Sequence, residues 1–265
     1  MADAASSTFN DAVAYERYVG RWSRVVAKPF LAWLGVAPGG SWLDVGAGTG
    51  ILTQAILDHA APGRVVAVDL SDQYLTYART AVPDARVDFV TGDAAALALD
   101  GPAFDAAVSG LLLNFVPSPR AAALGLAAAV KPAGIAASYV WDYGDRMQMM
   151  RHFWDAAIAV DTAAETFRVG ARYDICDPNA LRALFDSAGL SSVEVAPIDV
   201  ATTFASFDDL WLPFLGAQGS VAKYLRSRDE AQREAIRERL LDDLPIGSDG
   251  TIPLSARAWA VKGTR

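Results

Sequence analysis

Residues that commonly carry metal and thiol chemistry are scarce in this chain. Its 265 residues include one cysteine and two histidines. A single cysteine excludes an intrachain disulfide framework, a cysteine–zinc cluster and an iron–sulfur site. His59 and His152 are too far apart for a His-Glu-x-x-His motif. The sequence therefore predicts no bound metal.

Charge and hydropathy narrow the class of protein further. The 23 basic and 31 acidic side chains give a net charge of −8, which disfavours a nucleic acid partner. With 52% hydrophobic residues, the composition is that of a folded protein with a large core. No apolar run reaches the roughly 18 residues of a membrane span, and the N-terminal sequence lacks the apolar segment of a signal peptide. We therefore expect a cytoplasmic protein that does not bind membranes.

Short apolar segments alternate with helical patterns in the first part of the chain. The apolar segments have the length and composition of buried parallel strands, and helical spacing fills the intervals between them. The strands are expected at 41–46, 64–69, 86–91, 104–109 and 133–141, and the helices at 49–60, 71–81 and 118–130. This order predicts an α/β fold: a doubly wound, mostly parallel sheet with helices on both faces.

The pattern changes after residue 141. We expect one helix over 145–167, a helix over 177–188, a strand over 190–198, at least two helices within 206–243 and a final strand over 255–262. The chain is longer than a sheet domain of this kind needs, and the additional residues indicate an N-terminal helical lid at 1–35. Helical cap insertions at about 142–176 and 199–254 then interrupt a domain that spans 36–265.

The most informative segment is Leu43-Asp44-Val45-Gly46-Ala47-Gly48-Thr49-Gly50, in which glycines recur where a strand meets a helix. Glycine allows a sharp turn and a close approach of a ligand to the backbone. No Gly-Lys-Ser/Thr follows, so the segment is not a P-loop. Ile51 stands where a dinucleotide-binding G-x-G-x-x-G motif has its third glycine. A tight turn without a ligand is the alternative, although one glycine would suffice for that.

Two further acidic residues follow the next two strands. Asp69 ends the second strand, where a carboxylate can accept hydrogen bonds from a ribose diol. The alternative is a helix N-cap, but Ser71 can serve as that cap. Asp93, in Gly92-Asp93-Ala94, follows the third strand and could accept a hydrogen bond from the exocyclic amine of a base. It is equally an ordinary loop residue.

These segments together resemble the successive motifs of class I S-adenosylmethionine-dependent methyltransferases. The resemblance covers about residues 36–141. It also rests on Phe104-Asp105, on Leu111 and on Asn114-Phe115-Val116-Pro117, which follow in that order. Lys131-Pro132-Ala133-Gly134 resembles the turn before the family's fifth strand, where Pro-Gly-Gly is more usual. The subgroup that it resembles most comprises small-molecule enzymes similar to ubiquinone and menaquinone methyltransferases. It implies a seven-stranded Rossmann-like methyltransferase fold.

The resemblance also implies roles for individual residues toward S-adenosylmethionine. Gly46, Gly48 and Gly50 would approach its methionine part, and Asp44 would interact with its ammonium group. Asp69 would hold the ribose hydroxyls and Leu70 would pack on the adenine. Asp93 and the Ala94 amide would bind the adenine, while Ser109 and Gly110 would border the sulfonium.

Candidates outside this set are weaker. The segment from Tyr15 to Arg24 resembles the family's N-terminal lid, in which Arg21 and Trp22 would close over the cofactor; a lid helix packed for stability is the alternative. The residues Tyr15, Trp141, Tyr143 and Trp211 are candidates for substrate contact, although Trp211 is equally a core residue. Asp142 and His152 are candidate general bases, with a turn residue and a core or surface histidine as alternatives.

Methyl transfer from a sulfonium needs alignment and exclusion of water more than it needs a strong base. We therefore expect transfer of a methyl group from S-adenosylmethionine to an O, N or C nucleophile of a small-molecule metabolite, by a monomer or homodimer. The alternatives are a cofactor-binding protein without methyl transfer, a nicotinamide-dependent oxidoreductase and a nucleic acid methyltransferase.

Overall fold

A computed structural model describes residues 20–97, 103–168, 171–216 and 220–265, with backbone alone for 171–173. The chain divides into two compact units. The first, called the sheet unit, comprises the described residues within 23–141, 174–198 and 258–265. The second, called the helical unit, comprises the described residues within 20–22, 142–173 and 199–257.

The strands form one seven-stranded sheet in the order β3-β2-β1-β4-β5-β7-β6. Adjacent strands from β3 to β5 run parallel, and β7 runs antiparallel to β5. The strand bounds are β1 Ser41–Val45, β2 Arg64–Asp69, β3 Val87–Thr91, β4 Phe104–Gly110, β5 Val130–Trp141, β6 Ser191–Phe204 and β7 Ile252–Thr264. The predicted α/β class with a mostly parallel sheet is confirmed.

Helices of the sheet unit bury apolar side chains against the central strands. Their bounds are α1 Arg21–Leu34, α2 Ile51–His59, α3 Asp72–Ala81, α4 Pro119–Ala129 and, further along the chain, α7 Pro178–Ser187. The first two residues of α1 belong to the helical unit. Ser71, Ser118 and Asp177 begin α3, α4 and α7 by accepting hydrogen bonds from backbone amides of the first turn, the usual role of an N-cap.

The helical unit contains α5 Gln148–Val160, α6 Glu165–Arg168, α8 Phe207–Gly216, α9 Ser220–Arg226 and α10 Glu230–Asp243. The single helix expected over 145–167 is wrong, because the helix stops at Val160. Asp161 is extended, and its Oδ1 accepts a hydrogen bond from the Ala163 amide at 3.0 Å, which begins a separate 3₁₀ turn. No helix among the described residues has the length and apolarity to cross a membrane.

Aromatic rings form the centre of the helical unit. Phe153 is fully buried and lies 5.1 Å from Trp154 and 5.0 Å from Phe214, measured between ring centroids. Tyr224 contacts Trp154 at 5.6 Å. Trp211 is 5% exposed and packs on Phe214, so its side chain is part of this core.

Candidate functional site

The glycine loop between β1 and α2 turns through three left-handed residues. Gly46, Gly48 and Gly50 have φ values of +75°, +54° and +86°, a region that side chains other than glycine rarely adopt. The Val68 carbonyl on β2 accepts hydrogen bonds from Gly46 N and Ala47 N at 2.7 and 3.0 Å. This explains why glycine recurs at alternate positions, which a single tight turn would not require.

Space beside the loop differs from one glycine to the next. A Cβ added to Gly46 would lie 2.6 Å from Leu112 Cδ1, whereas a Cβ added to Gly48 would meet only the Gly46 carbonyl oxygen, at 4.0 Å. The loop is therefore packed at Gly46 and open at Gly48. The open side offers a ligand direct access to the backbone.

Asp44, near the end of β1, is wholly buried. Its Oδ2 accepts a hydrogen bond from the Thr53 hydroxyl at 2.7 Å, and no described residue donates a hydrogen bond to Oδ1. Burial raises the pKa of Asp44 from 3.8 to about 7, with a smaller contribution from Asp69, while hydrogen bonds from Thr53 lower it. Sequence reasoning missed Thr53; the signal was a threonine that follows Ile51 and Leu52 in the first turn of α2.

Asp69, at the end of β2, is partly exposed and joins two turns. Its Oδ2 accepts a hydrogen bond from Gly48 N at 2.8 Å, and its Oδ1 accepts one from Ser71 N at 2.9 Å. Burial raises the pKa of Asp69, and the backbone amides of Ser71 and Gly48 oppose that rise. Ser71 is the helix cap, accepting a hydrogen bond from Tyr74 N at 3.3 Å, so the capping alternative for Asp69 is wrong.

The predicted adenine residues lie in the turns after β2 and β3. Leu70 is 66% exposed, an unusual exposure for leucine directly after a buried strand. Asp93 is exposed and its Oδ1 accepts a hydrogen bond from Ala95 N at 2.8 Å. Ala94 is buried, and Gly92 N donates to the Asp69 carbonyl oxygen at 3.0 Å. The last bond fixes the Asp93 turn to the end of β2.

The end of β4 is more tightly packed than the sequence suggests. Ser109 is fully buried, and its Oγ donates to Ser138 Oγ on β5 at 2.8 Å. A Cβ added to Gly110 would lie 2.6 Å from Tyr139 Oη. Leu111 follows with φ +58°. Contact between Ser109 and a ligand would therefore involve its backbone, and sequence reasoning missed its partner Ser138.

The remaining candidates lie at or beyond the end of β5. Trp141 is 1% exposed, and Asp142 Oδ1 accepts a hydrogen bond from Asp145 N at 3.1 Å, as in a turn. Tyr143 is half-buried. His152, on α5, is also half-buried; burial and then Arg151 lower its pKa. The roles proposed for these four side chains stay predictions.

The two lid candidates belong to the helical unit. Arg21 Nη1 donates to Asp209 Oδ1 at 2.8 Å, and the guanidinium lies 4.8 Å from the centre of the Phe204 ring. Trp22 is 8% exposed and packs edge-on against Phe204 at 5.3 Å. Tyr15, the other residue of this segment, lies outside the described residues.

These residues fit the chemistry of S-adenosylmethionine. The open backbone at Gly48 allows a close approach by the ligand. The buried Oδ1 of Asp44 is a hydrogen-bond acceptor, and the exposed side chain of Leu70 is an apolar surface. Asp69 retains lone pairs beyond the two that its backbone donors use. All lie at the carboxyl ends of neighbouring parallel strands, where open α/β sheets bind ligands.

Comparison with known proteins points the same way. Residues 43–138 match the family model of a methyltransferase domain. Over 114 residues the chain is 35% identical to the demethylmenaquinone methyltransferase of Renibacterium salmoninarum, covering 43% of this chain and 45% of that protein. The match thus spans less than half the length of that relative.

Solved structures show the same fold at low sequence identity. The YcgJ protein of Bacillus subtilis has a TM-score of 0.58 and 15% identity, over 91% of this chain and 98% of that one. Phosphoethanolamine N-methyltransferase 2 of Haemonchus contortus, in complex with S-adenosyl-L-methionine, has a TM-score of 0.54 and 16% identity, over 95% of this chain and 56% of that one. Residues 43–138 thus match a methyltransferase domain, and the chain has the fold of these solved structures.

Proposed function

We propose that this protein transfers a methyl group from S-adenosylmethionine to an O, N or C nucleophile of a small-molecule metabolite. The observation that supports this most is the convergence of the glycine loop with Asp44, Asp69 and Asp93 at adjacent strand ends. Asp69 would hold the ribose, Leu70 and Asp93 the adenine, and the open backbone at Gly48 the methionine part. When bound, the cofactor supplies an electrophilic methyl group on a sulfonium.

A small-molecule acceptor is part of the proposal. The net charge of −8 disfavours nucleic acid. His152 is a candidate base, because burial lowers its pKa and so favours the neutral imidazole; Asp142 is the other candidate. A cytoplasmic location accords with the single cysteine.

Calorimetric titration with S-adenosylhomocysteine tests the cofactor site. We expect saturable binding by the wild-type protein and severe weakening in Asp69→Ala. The exposed Asp88→Asn on β3 is the matched control, and its affinity should equal that of the wild type. Failure of the wild type to bind either S-adenosylmethionine or S-adenosylhomocysteine would refute the assignment.

Methyl transfer itself needs a separate experiment. Incubation with S-adenosylmethionine carrying a labelled methyl group and with small-molecule fractions of a cell extract should yield a labelled product and S-adenosylhomocysteine. Label recovered in RNA would favour a nucleic acid methyltransferase instead. Binding of the cofactor without product from any fraction would favour a protein that keeps the fold without the reaction.

A further inference from the structure

Asp69 accepts hydrogen bonds from the protein backbone that binding a ribose would not require. Its two carboxylate oxygens accept hydrogen bonds from two backbone amides that belong to different turns, Gly48 N in the glycine loop and Ser71 N at the start of α3. The bond to Ser71 is local, two residues along the chain. The bond to Gly48 spans 21 residues and connects the turn after β1 to the end of β2.

Backbone hydrogen bonds hold the two ends of the glycine loop, and Asp69 holds the amide in its middle. The Val68 carbonyl holds Gly46 and Ala47 at the start of the loop, and Gly50 N donates to the Ala47 carbonyl at 2.9 Å. Gly48 lies between these anchors, with φ +54° and open space where a side chain would be. A glycine with such freedom has much conformational entropy to lose, and a charge-assisted hydrogen bond is among the stronger ways to fix it.

We propose that Asp69 is a positioning residue for the glycine loop: it holds the Gly48 amide in place before any cofactor arrives. A carboxylate offers about four lone-pair sites, so two amides and two ribose hydroxyls can be accepted together without competition. Recognition of the ribose and the shape of the loop therefore depend on one side chain. The part that concerns ribose rests on the proposed function; the part that concerns the loop does not.

Asp69→Asn separates the two amide contacts. Asparagine has one acceptor oxygen, and its NH₂ group cannot accept a hydrogen bond from a backbone amide. The short-range contact with Ser71 is the one an asparagine readily keeps, since asparagine commonly bonds the amide two residues ahead. The contact with Gly48 is therefore the one lost.

Amide hydrogen exchange in the protein without cofactor measures this loss. We expect exchange at Gly48 to be about tenfold faster in Asp69→Asn than in the wild type, with an unchanged melting temperature and unchanged exchange in β2. Asp93→Asn is the matched control, because the side-chain hydrogen bond that Asp93 accepts from the described residues is local, from Ala95 N, and its substitution should leave Gly48 unaffected. Equal exchange at Gly48 in wild type and Asp69→Asn would overturn the proposal.

A second measurement needs no variant and holds even if Asp69→Asn fails to fold. A through-hydrogen-bond scalar coupling between Gly48 N and the Asp69 carboxyl carbon is expected in the wild type, and its absence would overturn the proposal. Titration with S-adenosylhomocysteine separates the two claims. If Gly48 exchanges faster in the variant but the wild type does not bind S-adenosylhomocysteine, the loop role of Asp69 is retained and the cofactor site is rejected. If the wild type binds but exchange at Gly48 is unchanged in the variant, the cofactor site is retained and the loop role is rejected.

Discussion

Ionisation of Asp44 should make the folded protein less stable as the pH rises. The side chain is wholly buried, and its pKa rises from 3.8 to about 7 on folding, chiefly because burial penalises the charge. Between those two values the folded state holds a proton that the unfolded state has lost, so stability falls with increasing pH and levels off above about pH 7. At about 1.4 kcal/mol for each pH unit, Asp44 should cost the wild type about 2–3 kcal/mol between pH 5 and pH 8.

Asp44→Asn removes this ionisation with little change of shape. We expect the unfolding free energy of the wild type, measured by urea titration and expressed relative to the variant, to fall by that amount from pH 5 to pH 8. Thr53→Val removes the hydroxyl that lowers the pKa of Asp44, so the same fall should extend to higher pH. Asp88→Asn, at an exposed carboxylate, is the control. A wild-type-to-Asp44→Asn difference that stays constant with pH would refute the reasoning.

Three further predictions concern packing and ion pairing, each measured by chemical denaturation. Gly110→Ala places a methyl group 2.6 Å from Tyr139 Oη and should cost about 1–3 kcal/mol by overpacking; a double-mutant cycle with Tyr139→Leu should show relief, and additive costs would contradict this. Phe153→Ala empties the fully buried centre of the helical unit and should cost about 3–5 kcal/mol, against a much smaller loss for Phe153→Leu. Asp161→Asn keeps the cap on Ala163 but weakens the pair with Arg228, so it should cost about 1 kcal/mol or less; Asp161→Ala should cost about 1 kcal/mol more.

The parallel core was predictable because its strands are short, apolar and bounded by turn residues. All five expected strands before residue 142 form. The helical pattern beyond it was less decisive. Apolar spacing continues past Val160, but the cap at Asp161 ends the helix there. In β6 the buried residues Val200, Thr202 and Phe204 alternate beyond the expected end at 198, a period-two signal that the polar threonine obscured.

In the site, the sequence predicted which backbone and acidic residues lie at the strand ends, but not their partners. Glycine at alternate positions and carboxylates after strands are local patterns. The pairing of Ser109 with Ser138 depends on the register between β4 and β5, and the bond from Gly48 to Asp69 depends on the turn geometry. Such contacts follow from strand register and loop shape, which no short segment encodes alone.

The two acidic residues nearest the glycine loop differ in what surrounds them, and this difference has consequences for charge. Asp44 is wholly buried with hydrogen bonds from Thr53 alone among the described contacts, whereas Asp69 is partly exposed and bound by two backbone amides from separate turns. The nearby Asp69 raises the pKa of Asp44 further, since neighbouring carboxylates disfavour simultaneous ionisation. At neutral pH Asp44 is therefore near its midpoint. A cationic ligand at these strand ends would favour the ionised form of Asp44. Binding of such a ligand is therefore coupled to loss of a proton from a residue that need not contact it.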